Sequence, residues 1–155
     1  MSSLIYSLTV VIVDQATKYI ARTQMSYHDS IPVLGAFFRL TYVENSGIAF
    51  GINFEGGSVV FTVLASIATA VVFGYLWSAR EKEFLFRFSL ALILGGAVGN
   101  LMDRFIFGKV VDFLHFSIGQ YSWPVFNVAD SCVTVGMILF LYISIFRSGE
   151  REVAS

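Results

Sequence analysis

The sequence predicts an all-α membrane protein, four transmembrane helices carrying a small extracytoplasmic β-rich segment. Three observations predict it. The 155 residues are 56% hydrophobic with a mean hydropathy of +0.74. Only 14% are charged, against about one quarter in a soluble domain. Four apolar runs each approach the roughly 20 residues that a spanning helix needs, and one stretch between them is patterned for strands.

The first span covers about residues 4–21. It resembles a secretory signal in place, but it lacks a basic start, and Asp14 and Lys18 interrupt its apolar run, so it is expected to be retained. The outer segment, about 22–57, contains "GAFFRLTYVENSGIAFGINF", where aromatic and β-branched residues alternate with Gly and Asn turn signals. A few short strands are expected there. Spans two and three cover about 58–78 and 84–101, joined by the short "SAREKEFLFR". Span four covers about 125–146. The whole chain, 1–155, reads as one integral-membrane domain without internal repeats.

Charge orients the bundle. Arg80, Lys82 and Arg87 in the short connector and Arg147 and Arg151 in the tail lie on one side of an up-and-down chain. The positive-inside rule makes that side, with both termini, cytoplasmic. Arg22, Arg39, Arg104 and Lys109 are spread more thinly over the longer outer connections, so the bias is modest. A formal net charge of −1 gives no basic surface for nucleic acid. The single cysteine, Cys132, excludes an internal disulfide and reads as a small helix residue.

Polar side chains gather at one end of this bundle. Asp14 and Lys18 lie in the outer half of span one, four apart and able to pair. Asn100, Asp103 and Arg104 lie at the outer end of span three. Asp112 follows in the next connection, and Asn127 and Asp130 stand at the outer start of span four, three apart on one stripe. Ionisable residues in spans cost about 2.5–3.5 kcal/mol at mid-helix and usually mark function.

Asp112 and Asp130 stand out, because the chain leaves the outer face after span three and re-enters with span four. Two carboxylates held together share a proton, and one pKa rises. An aspartic protease uses that arrangement to activate water with one carboxylate and protonate the substrate with the other. The plainer reading is that Asp130 caps span four and Asp112 is a solvated loop residue.

Five motifs then run in order along the chain: "DQATK" at 14–18, "NSGIAF" at 45–50, "GGAVGNLMDR" at 95–104, "VVDF" at 110–113 and "FNVAD" at 126–130. In these the chain resembles the lipoprotein signal peptidases, the type II signal peptidases of bacteria. The resemblance implies a membrane aspartic endopeptidase that removes signal peptides from diacylglyceryl-modified prolipoproteins, cutting just before the lipidated cysteine. It maps the catalytic dyad to Asp112 and Asp130. It maps the substrate pocket to Asn100, Arg104 and Asn127, with Asn45 and Gly47 of the outer motif. Together with Ala49 and Phe50, those last two would also help form a small sheet beside the site. Asp14, Lys18 and Asp103 become structural support. The resemblance further implies the bacterial cytoplasmic (inner) membrane, a site on its extracytoplasmic face, contact with membrane lipid and sensitivity to the cyclic peptide globomycin. No cofactor is expected. The start "MSSLIY" is shorter and less basic than is common in such proteins, and the aromatic loop 113–126 matches no fixed motif, so no role attaches to it.

Other chemistries fit less well. The two histidines, His28 and His115, lie far apart and outside the spans, so no zinc protease pattern forms. Ser46 has no histidine in a span to act as its base. "GGAVGN" lies inside an apolar span, and Ala91, Gly95 and Gly99 at every fourth place suit close helix packing better than phosphate. A proton-coupled transporter with an aspartate relay would need carboxylates through the full membrane depth, and here they stop at one end. A non-enzymatic assembly subunit would tolerate carboxylate-to-amide changes.

Overall fold

The computed structural model describes residues 2–46 and 57–146. Gly47, Ala49 and Phe50 of the outer motif, and Arg147 and Arg151 of the tail, lie outside the described residues. The elements in chain order are α1 (Ser2–Gln24), β1 (Ser30–Leu34), β2 (Phe38–Asn45), α2 (Gly57–Ser78), α3 (Phe84–Phe107), β3 (Val110–Ile118), β4 (Tyr121–Ser122) and α4 (Val128–Phe146). All four helices are long and apolar enough to cross a membrane. Large apolar side chains such as Ile5, Ile12, Ile67 and Ile138 remain exposed along them. On a soluble protein such a surface would be anomalous; in lipid it is the ordinary outer face of a bundle.

α3 is the central helix, and small residues let its neighbours approach. Ser7 of α1 donates its hydroxyl to the Ala91 carbonyl at 2.9 Å. A Cβ on Gly95 would stand 2.7 Å from Val10 Cβ, and one on Gly99 would stand 2.6 Å from Asp14 Oδ2. Ala91, Gly95 and Gly99 are therefore the groove in which α1 lies, the packing role that their four-residue spacing predicts. On another face of α3, Gly96 abuts the Ala129 carbonyl of α4.

The sheet is antiparallel with strand order β1-β2-β3-β4. The expected strands in the outer segment are β1 and β2, with Pro32 on the edge strand, where a missing donor is harmless. Half of the sheet was not expected. The stretch read as an aromatic loop is the β3–β4 hairpin, and Asp112 sits on strand β3 rather than in an irregular connection. β3 pairs along β2 with Val43 opposite Asp112 and Asn45 opposite Val110.

Two helix boundaries also differ from the sequence reading. α3 runs on to Phe107 instead of about residue 101, and ends where Gly108 adopts φ +71° and donates its N–H to the Arg104 carbonyl at 3.0 Å. A left-handed glycine is a strong helix stop. α4 starts at Val128 rather than about residue 125, because Phe126 exchanges backbone hydrogen bonds with Leu114 of β3. Apolar content alone counted Val125 and Phe126 into the span.

Candidate active site

The sheet, the middle of α1, the end of α3 and the start of α4 bring together Asp14, Lys18, Asn45, Asn100, Asp103, Arg104, Asp112, Asn127 and Asp130. Asn127 is the hinge of the arrangement. It is wholly buried and stands just before α4. Its Oδ1 accepts the Asp130 N–H at 2.9 Å, and its own N–H donates to Asp130 Oδ2 at 3.2 Å. That reciprocal pair is a capping box, which satisfies two N–H groups at the helix start. The plainer reading of Asp130 as a cap is therefore correct, and it does not exclude the other. With Oδ1 committed to a backbone donor, Asn127 Nδ2 must face the opposite way. It donates to Asp112 Oδ1 at 2.6 Å and also reaches Val111 O and Asn100 Oδ1, both at 3.2 Å.

Asn100 fixes the other oxygen of Asp130. Lys18 Nζ, which can only donate, bonds Asn100 Oδ1 at 2.8 Å. The amide is thereby oriented so that Nδ2 donates to Asp130 Oδ1 at 2.7 Å. Asn45, at the exposed end of β2, donates to Asp112 Oδ2 at 3.3 Å. Both carboxyls are thus held by side-chain amides and backbone N–H, with no ion pair to either among the described residues. Lys109, three residues before Asp112, instead pairs with Glu44. That contact holds the Glu44 carboxyl below its usual range. Glu44 also accepts from Tyr42, whose phenol burial and this bond push up to about 12.

Asp112 is buried at 4% exposure, whereas Asp130 is half-buried. Burial, reinforced by the Asp130 carboxylate, pushes Asp112 up to about 7. Its amide donors oppose that rise but do not cancel it. Asp112 is therefore a carboxyl able to keep its proton near neutral pH, with a second carboxyl beside it.

Beneath this layer lies a second, dry one. Lys18, at 0% exposure, pairs with Asp14 at 2.9 Å and Asp103 at 3.2 Å. Asp14 Oδ1 accepts the Ala129 N–H of α4 at 3.0 Å, and Asp103 Oδ2 accepts the Val111 N–H of β3 at 3.2 Å. Each buried aspartate thus ties a different element to the bundle. Sequence reading missed two members of this layer. Arg22 pairs with Asp103 at 2.6 Å, and Gln15 donates to Asp14, to Asp103 and to the Gly99 carbonyl. Arg22 was legible: it follows Lys18 by four and shares its helix face. Arg104 of α3 reaches the Asn100 carbonyl at 3.5 Å, while its buried Nε has no hydrogen-bond partner among the described residues.

Comparison with known proteins places the chain in a family. The profile of the family described as Signal peptidase (SPase) II matches residues 6–146. A lipoprotein signal peptidase of Desulforapulum autotrophicum is 44% identical over 146 residues, covering 91% of this chain and 90% of the relative. That of Moorella thermoacetica is 42% identical over 151 residues, covering 97% of both chains. A solved bacterial membrane enzyme, determined by the in meso method, superposes with a TM-score of 0.79 at 34% identity, covering 97% of this chain and 90% of that one. The match spans all four helices and both polar layers, and the chain belongs to the signal peptidase II family.

Proposed function

We propose that this chain is an aspartic endopeptidase that removes signal peptides from lipid-modified prolipoproteins, with Asp112 and Asp130 as its catalytic pair. One observation carries the assignment. A single buried amide, Asn127, bonds Asp112 through its side chain and Asp130 through its backbone, holding two carboxyls together with no ion pair to either among the described residues. Structural carboxylates in this protein look different: Asp14 and Asp103 each meet Lys18.

In the mechanism this supports, Asp130 takes a proton from a water held between the carboxyls. The hydroxide attacks the scissile carbonyl carbon while protonated Asp112 donates to its oxygen. Collapse of the tetrahedral intermediate breaks the C–N bond, and a proton passes to the departing amine, so hydrolysis consumes one water. Arg104 and Asn100 serve the substrate backbone or the carboxyls, and Asn45, which donates to Asp112, and Gly47 serve the substrate as well. Apolar helix faces let the diacylglyceryl group of the substrate stay in lipid during cleavage. Cleavage falls just before the lipidated cysteine, and globomycin competes for the same cleft.

The site faces the extracytoplasmic side of a bacterial cytoplasmic membrane, with both termini inside, as the basic α2–α3 connector favours. An aspartate relay for transport finds no support, since the spans carry their carboxylates at one end. The test is cleavage of one purified precursor, with and without its lipid, by wild type, D112N and D130N. Loss of lipid-dependent cleavage in both folded variants is expected; wild-type rates in either would defeat the assignment.

A further inference from the structure

The end of the bundle away from the aspartates carries a second recess. A cavity of about 300 Å³ opens between the start of α1, the end of α2 and the start of α3. Leu4, Phe73, Leu76 and Trp77 make most of its wall, and Arg80 and Arg87 also line it. Counting along α3 at 1.5 Å per residue, Arg87 is about 20 Å from Asn100. The recess is therefore separate from the polar layers described above.

Two features mark it as more than a packing gap. The Arg87 Nε is buried and has no hydrogen-bond partner among the described residues, and a buried donor left in that state costs free energy unless something accepts from it. Among the described residues Arg80 forms an ion pair only with Glu81, at 4.0 Å, with the two side chains 68% and 90% exposed. Such a pair is weak and readily displaced. The recess therefore presents cationic donors above an apolar wall, at the level where a spanning helix meets the headgroups. Trp77, 59% exposed at the end of α2, suits that level as well.

We propose that this recess binds an anionic phospholipid of the adjoining leaflet, its phosphate on Arg80 and Arg87 and part of an acyl chain against Leu4, Phe73, Leu76 and Trp77. Charge complementarity selects an anion, and the apolar wall selects a lipid over a soluble phosphate. Basic pockets between membrane helices recognise anionic headgroups by the same chemistry. A bound lipid would join α1, α2 and α3 at an end where no buried ion pair does so among the described residues.

The purified chain in neutral detergent is titrated with dioleoylphosphatidylglycerol, dioleoylphosphatidylcholine or glycerol 1-phosphate, reading bound lipid by native mass spectrometry and Tm in parallel. Phosphatidylglycerol should bind more tightly and raise Tm, phosphatidylcholine should bind weakly, and glycerol 1-phosphate should do neither. R80Q and R87Q should each weaken phosphatidylglycerol about fivefold and leave phosphatidylcholine unchanged. Equal affinity for the two lipids would overturn the proposal. So would a Tm rise with glycerol 1-phosphate equal to that with lipid, or an unchanged preference in R80Q. Because Arg80 is largely exposed, R80Q decides the matter even if R87Q does not fold. Neither readout involves cleavage, so the result is independent of the roles of the aspartates.

Discussion

Asn127 Nδ2 donates to Asp112 Oδ1 at 2.6 Å while the same residue's backbone N–H donates to Asp130 Oδ2 at 3.2 Å. One side chain therefore caps α4 and sets the relation between the two carboxyls. The functions separate by substitution. Asn127→Ser keeps an oxygen able to cap the helix but loses the donor to Asp112. Its Tm should stay close to wild type while the cleavage rate falls about a hundredfold, the scale of losing one preorganised donor. Asn127→Ala should lose that rate and about 1 kcal/mol of cap stability as well. A wild-type rate in N127S, assayed on the same lipidated precursor, would separate Asn127 from the chemistry.

The elevated Asp112 sets a pH dependence of definite sign. Activity that needs protonated Asp112 falls as pH rises through about 7. Stability moves the same way: between the ordinary carboxyl value, 3.8, and about 7 the folded chain binds more protons at this position than the unfolded chain. Unfolding free energy therefore declines as pH rises across that window, by at most about 4 kcal/mol. D112N removes the titration. Its Tm should track wild type near pH 4 and decline less steeply towards pH 8, a comparison made by thermal melts in one detergent across that range.

Most of this organisation was legible because it rests on local pattern. Apolar runs gave the four spans, and helical spacing gave the Asp14–Lys18 pair, found at 2.9 Å. Asn127 and Asp130 even carry the spacing of a capping box, which is how the cap and the catalytic reading came to compete before they proved compatible. What stayed hidden depends on contacts distant in sequence. β3 is buried on successive residues from Val110 to Phe113, so it shows no two-residue alternation. It becomes a strand through its register with β2, about 70 residues earlier by its Val43–Asp112 pairing. The extension of α3 was hidden because Phe105, Ile106 and Phe107 are exposed apolar residues in a stretch that reads as connection. The unpartnered Arg87 Nε had no signal at all, since an arginine beside a span ordinarily reads only as an orientation mark.

Lys18 serves two aspartates and one amide from a position with no exposure. Lys18→Met would leave Asp14 without a cation and Asp103 with Arg22 alone. Removing one partner of a buried ion pair typically costs about 3–5 kcal/mol, so a marked drop in Tm is expected. It should also free the Asn100 amide to turn its oxygen towards Asp130, lowering the rate of the protein that remains folded. Double substitution of Lys18 and Asp14 by Met and Asn should recover part of the stability, because the stranded charge is gone, and little of the rate. A K18M protein with wild-type Tm would show that Lys18 does not neutralise this layer.

Gly96 and Gly99 test whether the helices position the carboxyls by contact. A Cβ on Gly99 meets Asp14 at Oδ2, 2.6 Å away, and at Cγ, 3.1 Å away. Asp14 cannot easily yield, since Lys18 and the Ala129 N–H hold it from other sides. A Cβ on Gly96 meets the backbone of α4 itself, at the Ala129 carbonyl, one residue before Asp130. Both Ala variants should lose roughly 1–3 kcal/mol through overpacking. Their activities should differ. Gly99→Ala strains a supporting carboxylate and should act mainly on Tm. Gly96→Ala must displace the first turn of α4, and with it the Asp130 oxygen that accepts from Asn100 at 2.7 Å. Compared below both melting temperatures, G96A should show the larger fall in cleavage rate, of the order of a hundredfold for a misplacement near 1 Å. Equal rates in the two variants would mean that α4 adjusts without disturbing the pair.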